Sequence, residues 1–265
     1  MYDFDYARAQ SVSDATQRLK AIDGAKILAG GMTLLPTIKL RLAKPAALVD
    51  LGRLAELKGI SVAGGIVTIK AMTRHADVLR SAEVAKAIPA LVTLAGGIGD
   101  VQVRHRGTIG GSVANNDPAA DYPAACLGLG ATIVTSKREI AADDFFKGLF
   151  TTALEPDEII TEFRFPVPER AAYMKFKNPA SRFAIVGAFV SKGAKGVRVA
   201  ITGAGDTGVF RVPAMEQALA KSFDAKAIEG IKVDVGSMLG DIHASPEYRA
   251  HLVGVMVRRA VAACA

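Results

Sequence analysis

RHRGTIGGSVANNDPAADYPAA, residues 104–125, opens on a small, donor-rich segment, Gly107-Thr108-Ile109-Gly110-Gly111-Ser112. Two adjacent glycines let a backbone approach a ligand closely and adopt φ > 0 without steric cost. Consecutive exposed N–H groups form a concavity that suits phosphate, and Thr108 and Ser112 add hydroxyls. Further on, Asp117 is a good N-cap, Pro118 fits the first helical position, and Ala119 to Leu127 continue the helix. A glycine loop leading to a helix N-terminus makes a sensible anion site. A glycine-rich turn before an ordinary capped helix fits the same letters.

A second stretch has the same grammar. Ile27-Leu28-Ala29-Gly30-Gly31-Met32-Thr33-Leu34-Leu35-Pro36 runs strand, Gly-Gly, hydroxyl, helix. Two such loops can clasp one long phosphate ligand from two sides. The surroundings of the second loop predict a β-α-β unit. Ser11 to Ala21 reads as a helix, with Ser11 and Asp14 resembling a capping box and Gly24 closing it. Lys26 to Ala29 is a short strand, Thr33 to Leu42 a helix with Pro36 in its first turn, and Ala46 to Leu51 a strand. The glycine loop then lies at the carboxyl end of a strand, where α/β ligands usually sit.

Outward from these loops the chain alternates element types. Gly59 to Ala71 predicts a hairpin turning at Gly64-Gly65. Thr73 is expected to cap a short helix through Leu79, and Val84 to Ala95 reads as one helix ended by Gly96-Gly97. Ala131 to Ser136 and Glu158 to Phe165 read as strands, with a short helix at Asp143 to Leu149 between them. Pro166 and Pro168 mark a boundary. Strands at Tyr173 to Phe176, Phe183 to Lys192 and Val197 to Thr202 follow. Helices then run over Pro213 to Lys221, Asp224 to Gly230 and Pro246 to Ala262, the last capped by Ser245. Strands followed by helices predict an α+β terminal subdomain. Gly203-Ala204-Gly205-Asp206-Thr207-Gly208 matches the dinucleotide pattern G-x-G-x-x-G, but it runs into the β-like Val209-Phe210-Arg211-Val212 and opens no helix. It is read as a glycine turn.

Composition bounds the function. At 265 residues the chain has room for two or three subdomains. Half of it is hydrophobic, and its net charge of +7 is spread along the chain without a basic run interleaved with aromatics, which argues against nucleic-acid binding. A basic face for an anionic cofactor or an acidic protein partner fits better. Two cysteines, Cys126 and Cys264, fall short of the roughly four thiolates of an iron–sulfur cluster. His75, His105, His243 and His251 have no metal-ligand spacing. There is no GK[ST] phosphate loop and no G-x-S-x-G elbow. The N-terminal residues lack an apolar signal core and no apolar run approaches membrane length, so the expected compartment is the cytoplasm.

Together, AGGMTLLPTIK at 29–39 and TIGGSVANNDPAAD at 108–121 closely resemble the flavin subunit of the molybdenum hydroxylases. That group includes the carbon monoxide dehydrogenase medium subunit and the FAD domain of xanthine dehydrogenase. PASRFAIVGAFV at 179–190 and the C-terminal block also fit, so the resemblance spans the whole chain. It implies a mixed α/β and α+β architecture: a two-subdomain FAD-binding fold of the vanillyl-alcohol-oxidase-like (PCMH) type over 1–57 and 58–168, then a C-terminal α+β subdomain over 169–265.

The resemblance also implies site residues. Ala29, Gly30, Gly31, Met32 and Thr33 would meet the FAD pyrophosphate through backbone N–H groups. Met32 stands where the family often has a polar residue, and Thr33 where serine is frequent. Thr108, Ile109, Gly111, Ser112 and Asn115 match positions that contact FAD. Asp121 matches an acidic position associated with the adenosine ribose; an acid in the first turn of its own helix is the plainer alternative. Asn116 is read as a turn residue. Lys175 resembles a lysine near the isoalloxazine ring, where a cation favours the reduced flavin; an exposed strand lysine is its alternative. Phe183 keeps an aromatic face where tyrosine is common, and loses the hydroxyl. Ser181 and Arg182 would order the loop before it.

The activity so implied is electron transfer in an oxidoreductase complex, with no catalytic side chain and no metal on this chain. A small subunit with [2Fe–2S] clusters and a large molybdopterin subunit would be its partners, as a dimer of heterotrimers. Electrons would pass through the clusters to FAD and on to an external acceptor. A self-contained FAD-dependent oxidase and a cofactor-less interaction subunit are the competing functions. Neither glycine motif contains the His or Cys of a covalent flavin tether.

Overall fold

The computed structural model describes residues 1–264. A three-stranded parallel sheet opens the chain, with Ala47–Asp50 between Asp5–Arg8 and Lys26–Leu28. The predicted β-α-β unit is present: Lys26–Leu28 leads through residues 29–33 into the helix Leu34–Lys39 and back to Ala47–Asp50. The Val12–Ala21 helix begins as its sequence indicates, with Ser11 Oγ accepting from Asp14 N at 3.0 Å. Asp5–Arg8 has no counterpart in the sequence expectations.

The second sheet is antiparallel, in the order Ile60–Ala63, Ile66–Lys70, Ile160–Pro166, Thr132–Thr135, Glu139–Ala141. Its hairpin turns at Gly64 and Gly65, both at positive φ. Helices cover one face. The expected helix over 84–95 is broken into Ala82–Ala87 and Pro89–Gly96, because Pro89 cannot continue a helix but suits the first position of a new one. Thr73 does not cap the next helix. Its hydroxyl bonds Gly59 on both N–H and C=O, and the N-cap is Arg74.

The third sheet is antiparallel, Arg170–Lys177, Ala184–Gly193, Gly196–Thr202, Phe210–Arg211. One face packs on the helices Pro213–Lys221 and Pro246–Ala263. The other face joins the core of the second sheet, with Tyr173, Phe189 and Ala200 buried among the residues of the Tyr122–Leu129 helix. Gly128 lets that helix sit against Phe189, whose ring a Cβ there would approach to 2.6 Å. Residues 203–208 form the expected turn, with Gly203 at φ 82 and Gly205 bridged to Met238.

Candidate functional site

A cleft of about 570 Å³ lies where the parallel sheet meets the second and third sheets. Its volume is that of a pocket for a cofactor-sized molecule. One wall is the loop Ala29–Thr33. Gly31 has φ 75, the left-handed region that glycine tolerates best. A Cβ on Gly30 would lie 2.2 Å from the Arg106 carbonyl oxygen, so only glycine lets this loop reach the opposite wall. The N–H groups of Gly30, Gly31, Met32 and Thr33 donate to nothing among the described residues. Unsatisfied amides at the edge of a cleft are costly unless water or an anionic ligand takes them.

The opposite wall is built differently from the sequence expectation. The Gly-Gly-Ser segment is the first turn of a helix, Ile109–Asn115, capped by Thr108. Its amides are used inside the fold. Ile109 N donates to Thr73 O (3.1 Å), Gly110 N to Ala71 O (2.8 Å), Gly111 N to Thr108 Oγ1 (3.2 Å) and Ser112 N to Thr108 O (3.0 Å). This wall therefore presents side chains. Ser112 and Asn115, both half-buried, line the cleft with their polar groups unpaired among the described residues.

The helix stops at Asn116, in the left-handed conformation at φ 45. Asn116 is more than a turn residue: its amide donates to Gly148 O (2.8 Å) and Thr151 O (2.9 Å) and fastens the wall to a two-stranded ribbon, Phe146–Gly148 with Thr151–Thr152. Residues 117–120 form a turn, not the start of a helix. Asp117 Oδ1 accepts from Ala119 N at 2.8 Å, and the next helix is Tyr122–Leu129. The third sheet holds this turn through Gly203 N, 2.8 Å from Pro118 O, and the Thr202 hydroxyl, 2.6 Å from Ala120 O.

The residues implied by the resemblance converge in part. Ala29, Gly30, Gly31, Met32, Thr33, Thr108, Gly111, Ser112, Asn115, Asp121 and Phe183 all line the one cleft. Ile109 does not; its side chain is fully buried in the core and its N–H is taken. Lys175 does not line it either, and is no exposed strand lysine. Its side chain is 7% exposed, with Nζ 2.9 Å from Asp121 and 2.7 Å from Gly97 O. Asp121 also accepts a hydrogen bond from the Tyr173 hydroxyl. The two residues expected at opposite ends of a dinucleotide thus form one ion pair. Burial raises the Asp121 pKa, against the opposing pull of Lys175 and Tyr173.

Phe183 projects beside the cleft, about half exposed, from a tight loop. Asn178 Oδ1 accepts from Ala180 N and Ser181 N, and Arg182 takes φ 63. Arg182 also reaches Gly99 O at 3.3 Å. Sequence reasoning missed His75, which lines the cleft and is buried. Burial first, and the Arg104 charge second, push its pKa down to about 4, so it is neutral at physiological pH. Its local signal was slight: a lone histidine at the start of a six-residue helix.

A cleft with an amide-lined glycine loop facing a helix start that carries hydroxyls has the donor set that suits a dinucleotide-type cofactor. The comparisons make this specific: residues 2–168 match the family described as the FAD binding domain in molybdopterin dehydrogenase, and residues 171–264 match the CO dehydrogenase flavoprotein C-terminal domain. The chain belongs to this family of FAD-binding subunits. It is 34% identical over 274 residues to the carbon monoxide dehydrogenase medium chain of Hydrogenophaga pseudoflava, covering 97% of this chain and 96% of that one. It is also 34% identical over 270 residues to the nicotine 6-hydroxylase medium subunit of Paenarthrobacter nicotinovorans, covering 97% and 95%. The reconstituted CO dehydrogenase from Oligotropha carboxidovorans superposes with a TM-score of 0.90 at 33% identity, over 99% of this chain and 98% of that one.

Among the described residues no group of His, Cys, Asp and Glu is arranged to hold a metal ion, and no helix is long and apolar enough to cross a membrane.

Proposed function

We propose that the chain holds one FAD non-covalently in this cleft and serves as the electron-exit subunit of a molybdenum hydroxylase. The observation that carries the proposal is the Ala29–Thr33 loop, whose free amides face a wall of unpaired side-chain donors across one cleft. The amides of 29–33 would take the pyrophosphate. Thr108, Ser112 and Asn115 would hydrogen-bond the cofactor from the other wall, with Gly111 leaving room between them. Phe183 would offer its ring face to the isoalloxazine. Asp121 would meet the ligand at the cleft wall, and Lys175 would act through Asp121 by holding its carboxylate. Met32 contributes backbone only.

When bound, the flavin supplies a centre that accepts electrons singly and releases them in pairs. The chain's residues bind and orient it, and none of them acts on the hydroxylated substrate. A small subunit carrying [2Fe–2S] clusters would deliver electrons, a large molybdopterin subunit would hold the substrate, and an external acceptor would take the electrons away. We place the assembly, a dimer of heterotrimers, in the cytoplasm, and the subdomain boundaries at 57/58 and 168/169. The CO dehydrogenase and nicotine hydroxylase names of the relatives support this class of complex.

The test is twofold. Acid precipitation should release all the yellow colour as free FAD; colour kept in the pellet, or FMN released, overturns non-covalent FAD binding. The isolated chain should oxidise no aldehyde, purine or carbon monoxide with a dye acceptor, while the three-subunit complex should reduce the bound flavin when substrate is added. Substrate-dependent flavin reduction by the isolated chain would favour a self-contained oxidase. A protein without flavin that cannot be reconstituted would favour an interaction subunit.

A further inference from the structure

The Leu34–Lys39 helix begins at the phosphate-type loop and ends on an exposed corner. It closes with two reversed hydrogen bonds, Leu42 N to Thr37 O and Arg41 N to Ile38 O, both 3.0 Å. This pattern needs a left-handed residue just past the helix, usually glycine. Here it is Arg41, at φ 61, where an L side chain is strained. The pattern also commonly folds the next apolar side chain back onto the helix. Leu42 instead is 76% exposed, and Leu40 is 70% exposed. The chain accepts backbone strain and still leaves two leucines in water.

The charge around them is one-sided. Residues 37–45 contain Lys39, Arg41 and Lys44 and no carboxylate. None of the three forms an ion pair among the described residues. Arg41 and Lys44 both lie over the ring of Tyr2, at 5.8 and 5.4 Å from its centroid. Two cations on one aromatic ring repel each other, and the ring is itself 42% exposed. A surface that is apolar at its centre and acidic at its edge would relieve both conditions, by covering the leucines and neutralising the cations. A second copy of this chain fits less well, because each copy carries a net charge of +7.

We propose that this corner, Leu40, Arg41, Leu42 and Lys44 around Tyr2, is the docking surface for a partner subunit that presents carboxylates around an apolar socket. The proposal rests on the reading of the chain as one subunit of a complex. It connects that partner to the cofactor loop through one short helix, whose first residue Leu34 lines the cleft.

The test uses the full chain, loaded with FAD, and its iron–sulfur and molybdopterin subunits. Wild type is compared with two double variants, Leu40→Asp with Leu42→Asp and Arg41→Glu with Lys44→Glu. All four positions are exposed, so FAD content should equal that of wild type. Each pair should weaken assembly with one partner at least about tenfold, and wild-type affinity should fall as salt is added. Hydrogen exchange at residues 37–45 should slow in the complex. If wild type and both variants assemble with equal affinity, the docking surface is wrong and the subunit reading stands. If wild type assembles with neither partner, the subunit reading fails and this proposal falls with it.

Discussion

The loop at Ala29–Thr33 leaves its amides free, whereas the helix start at Thr108–Ser112 uses its own amides inside the fold. In sequence the two are near twins, each a Gly-Gly pair followed by a hydroxyl. In space glycine does different things in them. Gly31 supplies a left-handed φ and Gly30 a backbone approach to Arg106, so the first loop can offer N–H groups to an anion. Gly110 and Gly111 are helical. Gly110 lets the helix press on Ala71, whose carbonyl a Cβ would approach to 2.7 Å, and the wall then offers Thr108, Ser112 and Asn115 through their side chains. One wall exposes backbone donors and the other exposes side chains. The FAD proposed for this cleft would use both, because a dinucleotide combines a phosphate centre with hydroxyl-rich flanks.

The hardest test is Lys175→Met, which removes the cation behind the cleft-lining Asp121. The variant leaves Asp121 buried without its cation, a loss of about 3–5 kcal/mol in stability. The pH dependence has a defined sign. The Asp121 pKa is already raised by burial, and removing Lys175 raises it further. A carboxyl whose folded pKa lies above its unfolded value gives stability that is present at low pH and lost as pH rises through the folded pKa. Denaturant midpoints should therefore show the deficit shrinking on acidification toward the ordinary carboxylate range and growing toward neutrality. A deficit that is constant with pH would mean that Lys175 matters for packing and not for charge.

Gly30→Ala attacks the backbone wall next. Its Cβ would collide with Arg106 O and C, at 2.2 and 2.9 Å, and neither atom belongs to a flexible side chain. The walls must separate, which should cost about 1–3 kcal/mol and leave the protein nearly free of FAD. A variant with wild-type visible absorbance and melting temperature would show that the two walls do not depend on this contact.

Much of the fold is legible in the sequence where local and tertiary preferences agree. Ser11 with Asp14, Ser245 with Pro246, and the Gly64-Gly65 hairpin each sit where their letters put them. The glycine turn at 203–208 is also legible, since no helix follows it directly. The misses have physical causes. Ile109–Asn115 is a helix despite two glycines, because packing on Ala71 and the Thr108 cap outweigh their poor propensity. Val101–Arg106 is a single short helix with no buried residue, so it has no apolar periodicity to detect. The Asp121–Lys175 pair joins residues 54 apart in sequence, and only the third sheet brings them together. His75 becomes notable only through burial, which its neighbours in sequence do not announce.

The finest distinction between the two walls is between Gly31→Ala and Gly111→Ala. At Gly31 the cost is conformational. With φ at 75, an alanine is strained by about 1 kcal/mol or more whatever space it finds. It also meets Leu35 Cδ1 at 2.8 Å, the far end of a side chain that can move. At Gly111 the backbone is helical, so alanine gains about 0.5–1 kcal/mol in helix preference. Against that gain stand a tight 3.1 Å contact with Thr108 Oγ1 and an ordinary 3.4 Å contact with Ala29 Cβ. The net change in melting temperature should be close to zero, with a modest rise in the FAD Kd as the methyl narrows the cleft. Gly111→Val, larger and β-branched, should fold and bind little flavin because it fills space, not because of any left-handed strain. Measuring melting temperature and FAD affinity for all three separates the two uses of glycine. If Gly111→Ala destabilised the protein as much as Gly31→Ala, the helical start at Thr108 would not describe the folded chain, and the contrast between the walls would collapse.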